Sequence, residues 1–294
     1  MVFGEDGNKM TDGENYIESS SLIQPEIDIE PPKRWVPINF REIWQYRELL
    51  YFFTWRDIKV RYKQTALGFA WAIIQPLFMM VIFTLFFGNI AKIPSDGIPY
   101  PIFSYAALLP WTLFSEGLTR SSTGIVLNAN ILTKVYFPRL IMPISSVLSP
   151  FVDFCIAFVI LILMMIYYGI TPTITILFLP LFILLALFTS FGVGLWLSAL
   201  NVKYRDFQYT IPFLIQIWLF ASPVVYPSSM LPQQFQILYG LNPMAGVIEG
   251  FRWALLGTNP PSYMILVSLV IVALIVITGL FYFRRMEQYF ADVI

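Results

Sequence analysis

The sequence predicts an all-α integral membrane protein. It has six transmembrane helices, an N-terminal amphipathic interfacial helix and two short re-entrant helices between spans five and six. Three observations carry this reading. Of 294 residues, 57% are hydrophobic and 12% charged, whereas a soluble domain is usually about one quarter charged. The apolar residues gather into runs of membrane-crossing length. The basic residues fall on alternate sides of those runs.

Residues 1–36 form an acidic tail. Eight acids between Glu5 and Glu30 stand against the single base Lys9. So little apolar surface does not offset the entropy of ordering, so disorder is expected. No basic region followed by a short apolar core marks a signal peptide here.

Residues 37–67 read as the amphipathic helix. Ile43, Tyr46, Leu50 and Phe53 recur on one helical face. Arg56, Lys59, Arg61 and Lys63 follow. A basic amphipathic helix beside a span lies in the interface with its apolar face in lipid. Gly68 relaxes the chain before the first span.

The six-span domain occupies residues 68–294. The spans are expected at Phe69–Ile90, Ile102–Leu118, Leu140–Tyr168, Ile174–Leu200, Phe207–Tyr226 and Ser262–Phe283. They must be helical, because lipid offers no partner to an open backbone. Pro76 is expected to kink the first. With the N-terminus in the cytoplasm, sixteen of the eighteen Lys and Arg lie inside and only Lys92 and Arg252 outside. That asymmetry sets both termini in the cytoplasm.

Between spans five and six, residues 231–256 carry the punctuation of two short helices. Pro232 opens the first and Gly240 closes it. Asn242 and Pro243 read as an N-cap with proline at the first helical position, and Gly257 as the C-cap. Their apolar content favours re-entry into the outer leaflet over a plain external hairpin.

Composition excludes several chemistries. There is no histidine and one cysteine, Cys155. Ser-His-Asp and Cys-His sites, His-ligated metals and an intrachain disulfide are therefore ruled out. No catalytic or metal site is expected. The phosphate-binding pattern GxxxxGK[ST] is absent, so any ATP must be bound by another chain.

Two acids fall inside expected spans. Glu116 has Arg120 four residues on and is expected to pair with it. Asp153 sits in the third span with no basic residue near it in sequence, which suggests a structural or channel-lining role. The loop 128–139 carries Ile131, Leu132, Lys134, Val135, Tyr136, Phe137 and Arg139, and its apolar members read as an exposed docking surface for a partner. Aromatic residues make up 17% of the chain. Most must be packing or interfacial belt, but Trp71, Phe78, Trp111, Phe114, Trp218 and Tyr226 are candidates for stacking on sugars.

Several segments together resemble a known family. They are Trp55-Arg-Asp-Ile-Lys-Val-Arg-Tyr-Lys-Gln-Thr-Ala-Leu-Gly68, Trp71-Ala-Ile-Ile-Gln-Pro76, Leu109-Pro-Trp111, Lys134-Val-Tyr-Phe-Pro-Arg139, Asn201-Val-Lys-Tyr-Arg-Asp206, Ser222-Pro-Val-Val-Tyr-Pro227, Leu241-Asn-Pro-Met244 and Glu249-Gly-Phe-Arg252. In this order, over residues 40–285, they resemble the membrane subunits of ABC-2 type polysaccharide exporters, which move O-antigen, capsule and teichoic acid chains. The acidic tail before Pro31 departs from the shorter start usual there.

The resemblance implies a homodimer in the bacterial inner membrane joined to two ATP-binding cassette subunits, which hold the ATP and Mg. No cofactor bound by this chain and no nucleic-acid partner are expected. The substrate implied is a polyprenyl-linked polysaccharide entering from the cytoplasm, in a channel lined mainly by spans one and five. The 128–139 loop resembles a coupling helix. Arg56, Lys59, Arg61 and Lys63 correspond to a cytoplasmic gate that attracts the pyrophosphate. Tyr239, Asn242, Pro243, Glu249 and Arg252 fall in the re-entrant region. An ion-coupled secondary carrier using Asp153 is the alternative. A membrane transferase would need clustered acids, a histidine or a metal, and none is visible.

Overall fold

The computed structural model describes residues 40–63, 68–260 and 263–293. The acidic tail, residues 64–67 and the expected start of the last span at Ser262 lie outside them. Twelve α-helices and no strand occur among the described residues. In chain order the first are α1 (Phe40–Gln45), α2 (Arg47–Lys63) and α3 (Ala70–Phe83), the last continuing as a π-helical stretch, Thr84–Ile90. Next come α4 (Tyr100–Leu127), α5 (Ala129–Leu132), α6 (Ile141–Leu148) and α7 (Pro150–Tyr167). A 3₁₀ turn at Ile174–Phe178 leads into α8 (Leu179–Lys203), followed by α9 (Phe207–Phe220). The chain ends with α10 (Gln233–Tyr239), α11 (Pro243–Leu256) and α12 (Met264–Val293).

Four stretches are long and apolar enough to cross a membrane: Ala70–Ile90, Ile141–Tyr167, Ile174–Lys203 and Met264–Glu287. They match the first, third, fourth and sixth expected spans. Pro76 leaves α3 continuous. The third span is broken at Ser149 into α6 and α7, because Pro150 has no N–H to continue the ladder.

The second expected span differs most. It is the 28-residue α4, longer than the predicted stretch, and most of its residues are buried. It is the hub of the bundle and packs on α3, α6, α7, α8 and α11. Its serines and threonines lower its hydropathy, and this is affordable because protein covers it. Apart from that of Ser121, their hydroxyls bond back to backbone, as in Thr112 to the Leu109 carbonyl at 2.9 Å and Thr119 to that of Ser115 at 2.8 Å.

Small residues let the helices approach. A Cβ on Gly194 of α8 would lie 2.5 Å from Ser121 Oγ of α4, and one on Gly279 of α12 would lie 2.6 Å from the Gly192 carbonyl. Such close contacts replace the hydrophobic drive that lipid does not supply between helices.

The fifth expected span is shorter than predicted. α9 has 14 residues, which at about 1.5 Å each is roughly 21 Å, short of a hydrocarbon core of about 30 Å. Beyond it, Ser222, Pro223, Val224 and Val225 are buried without being helical. Non-helical backbone at depth requires protein partners for its carbonyls. They are present: Arg252 donates to the Pro223 carbonyl at 2.7 Å and the Val224 carbonyl at 2.8 Å, and the Tyr100 hydroxyl to Val225 at 2.6 Å.

Candidate functional site

The predicted apolar face of the N-terminal helix meets protein. Phe53 is buried, and Ile43, Tyr46 and Leu50 pack with it on a core that includes Ile125, Phe137, Phe283 and Phe290. The expectation that this face lies in lipid is therefore corrected. A second face carries Trp44, Tyr51, Phe52 and Trp55, all more than half exposed. The single helix expected here is two, α1 and α2, parted at Tyr46, and together they carry two apolar faces, of which the periodicity marked one.

The four basic residues of α2 expected at the gate divide into two pairs. Arg56 bonds Asp57 at 2.8 Å and lies over the Phe53 ring at 4.9 Å. Arg61 reaches Asp153 at 2.6 Å and Glu116 at 3.4 Å. Lys59 and Lys63 are exposed. Half of the expected anion-attracting charge is thus already balanced by carboxylates.

Asp153 is not alone, as its sequence neighbourhood suggested. It lies in the first turn of α7, where the helix dipole favours an anion. Besides Arg61 it accepts a hydrogen bond from the Tyr62 hydroxyl. Burial, then the neighbouring carboxylate, pushes the Tyr62 phenol well above its ordinary range. Sequence reasoning missed Tyr62, because its partner lies 91 residues away along the chain. Glu116 and Arg120 pair at 3.4 Å as their spacing predicts, and Arg120 also reaches Ser149 Oγ at 3.5 Å.

Arg61, Glu116 and Asp153 border a cleft of about 50 Å³ between α2, α3, α4 and α7. Arg61, Glu116, Asp153, Gln75, Thr112 and Trp71 line it. Trp71 and Gln75 are exposed and mark its mouth.

The 128–139 loop also divides. Lys134, Val135 and Tyr136 are exposed, Tyr136 at 81%. Ile131 and Leu132 are half-buried against the bundle. Phe137, expected to be exposed, is 3% exposed and packs on Phe53 with centroids 5.5 Å apart. Arg139 is turned inward too. It donates to the Glu287 carbonyl and sits 5.8 Å over the Phe290 ring. The loop is held by Phe137 and Arg139 and presents Lys134 to Tyr136 outward.

The six candidate aromatics are not one surface. Trp71 and Phe78 are exposed on one face of α3. Trp111 and Phe114, expected to line a channel, are interior at 5% and 0% exposure. They form a ring chain with Trp218, with Phe114 and Trp218 centred 5.0 Å apart. Packing in the hub helix has claimed them. Trp218 donates to Asn242 Oδ1 at 2.8 Å, and the Tyr226 and Tyr239 hydroxyls meet at 2.9 Å.

The caps of the two short helices lie where their residues predict. Pro232 and Gly240 bound α10. Asn242 caps α11 by accepting from Met244 N, Pro243 is its first residue, and Gly257 closes it in the left-handed conformation. Asn242 Nδ2 further donates to the Ala221 carbonyl at 3.0 Å and to Ser222 Oγ at 2.9 Å. α11 is almost wholly buried. Arg252, which the charge count placed outside, is fully buried. It bonds the Phe103 carbonyl at 3.2 Å and Glu249 at 3.2 Å, with its guanidinium 3.5 Å over the Phe103 ring. Glu249 also accepts from the Ser228 N–H at 3.2 Å.

Comparison with known proteins gives concordant matches. A family model described as "ABC-2 type transporter" matches residues 48–256. The O-antigen export system permease protein RfbA of Myxococcus xanthus is 30% identical, over 84% of this chain and 96% of that protein. A protein of the same name from Klebsiella pneumoniae is 29% identical over 84% of this chain and 95% of its own length. The polysialic acid transport protein KpsM of Escherichia coli is 28% identical over 71% and 80%.

Proposed function

Because the chain belongs to the ABC-2 type transporter family, we propose that it is the membrane subunit of an ATP-driven exporter of an O-antigen-like, polyprenyl-linked polysaccharide. The observation that carries this reading is the match to O-antigen export permeases across nearly their whole length. The chain has no ATP-binding motif of its own, so the energy comes from a separate ATP-binding subunit.

In this reading two copies of the chain assemble in the bacterial inner membrane, with both termini cytoplasmic and ATP and Mg on the partner. The helices α3, α4, α6 with α7, α8, α9 and α12 are the six spans. The short helices α10 and α11 re-enter from the outer side, supported by the burial of α11. The exposed residues Lys134, Val135 and Tyr136 dock on the ATP-binding subunit. The stiffly held base of that loop passes the motion to α2 and the bundle.

The exposed lysines Lys59 and Lys63 attract the pyrophosphate at the cytoplasmic gate. Trp71 and Phe78, on the exposed face of α3, offer weak repeated stacking to a sliding glycan. The exposed rings Tyr209, Phe213 and Phe220 recur on one face of α9 and supply the second wall of the channel.

Purification of the tagged chain from its own membrane in mild detergent tests this reading. A stoichiometric ATP-binding subunit is expected to follow it, and deletion of the chain is expected to remove the surface polysaccharide. Surface polysaccharide unchanged by the deletion would overturn it.

A further inference from the structure

We propose that the cleft between α2, α3, α4 and α7 is a subsite for one sugar ring, which lies on Trp71 and sends a hydroxyl or hydroxymethyl group inward to Thr112, Glu116, Asp153 and Arg61. This rests on the exporter reading and adds where the glycan is gripped.

Charge selects the ligand class. Arg61, Glu116 and Asp153 line the cleft, and Arg120, outside the lining, pairs with Glu116 from behind, so two cations stand against two anions, linked at 2.6 to 3.4 Å. A balanced cluster carries no net positive charge to hold a pyrophosphate. It does offer fixed donors and acceptors side by side, which suits neutral hydroxyls that both donate and accept. Thr112 spends its own proton on the Leu109 carbonyl, which leaves its oxygen as an acceptor.

Size gives the pose. The cavity of about 50 Å³ holds a few waters and is too small for a whole sugar ring. A hydroxymethyl group fits, replacing water of similar polarity. The ring must then stay at the mouth. There Trp71, 51% exposed, offers an aromatic face to the apolar side of a sugar, and the exposed Gln75 amide flanks it. The cleft lies where α2 meets the start of α3, so a ring bound there sits between the lysine-bearing gate helix and the exposed face of the first span.

The test uses the complete complex with its ATP-binding partner in lipid nanodiscs. The probe is an oligosaccharide released by mild acid from the producing cell's own surface polysaccharide. Saturation-transfer NMR and calorimetry are expected to detect binding to the wild type. Trp71→Ala and the isosteric Thr112→Val should each weaken it about tenfold, and inorganic pyrophosphate should not displace it. No binding to the wild type, equal binding to both variants, or displacement by pyrophosphate would overturn the subsite. The exporter reading fails separately, if deletion of the chain leaves surface polysaccharide intact. Should deletion abolish export while both variants bind normally, the cleft alone is wrong.

Discussion

Phe53 of α2 rests on Phe137 of the 128–139 loop with ring centroids 5.5 Å apart, so α2 and the loop proposed to dock on the ATP-binding subunit share one buried contact. Neighbouring residues of that loop should therefore behave differently on truncation. Phe137→Ala removes a buried ring, at a cost of about 3–5 kcal/mol. It should lower the apparent melting temperature of the purified chain. Tyr136→Ala removes an exposed ring and should leave melting unchanged while reducing recovery of the ATP-binding subunit. Equal melting losses in the two variants would contradict the division.

Arg61 and Asp153 form the second tie between α2 and the bundle. Both side chains are mostly buried, at 27% and 14% exposure. Asp153→Asn alone removes one anion from beside Arg61, and Arg61→Met alone takes the cation from Asp153, which keeps the Tyr62 hydroxyl. The double variant removes both charges together. A double-mutant cycle on thermal inactivation should give a coupling of about 1–3 kcal/mol, with the pair less damaged than the sum of the singles. Additive losses would mean that the contact contributes nothing. A carrier that titrates Asp153 requires its proton to exchange during transport. The ion pair predicts instead that transport by the intact complex does not follow the proton gradient when ATP is supplied.

How far the sequence reported this structure depended on whether the cause was local. The caps of α11 were legible because Asn242, Pro243 and Gly257 act within a turn of where they stand. So was Glu116 with Arg120, which share one helix face. The burial of α4 was not, because hydropathy counts its serines and threonines but not the helices that cover them. Asp153 looked isolated because Arg61 and Tyr62 lie far away along the chain. Tyr136 and Phe137 sit side by side in a segment with no repeat. Nothing periodic said which of them turned inward.

Arg252 shows a buried charge that the chain beyond α9 requires. It satisfies the Phe103, Pro223 and Val224 carbonyls and Glu249 at once. Arg252→Met would take the guanidinium donors from those acceptors and the cation from Glu249, a loss of about 3–5 kcal/mol. Arg252→Lys keeps the charge but cannot reproduce the planar fork, and should recover only part. Membrane-inserted yield and melting of the three proteins should fall in the order wild type, lysine, methionine. A lysine variant as stable as wild type would show that charge alone suffices.

The contact between Gly194 and Ser121 allows a test of packing by rescue. A Cβ on Gly194 would lie 2.5 Å from Ser121 Oγ and 2.7 Å from Ser121 Cβ. Ser121 belongs to α4 and is fully buried, so neither helix can yield without moving the hub. Gly194→Ala should destabilise by about 1–3 kcal/mol through overpacking. Adding Ser121→Gly removes both clashing atoms and should restore most of the loss, although the single Ser121→Gly change gives no benefit in the wild-type background. That sign reversal separates steric conflict from a generic effect of the added methyl. If Ser121→Gly fails to rescue Gly194→Ala in thermal melts, the α4–α8 approach at this level is looser than the distances imply. The close packing that takes the place of a hydrophobic drive between membrane helices would then have to be sought at Gly192 and Gly279.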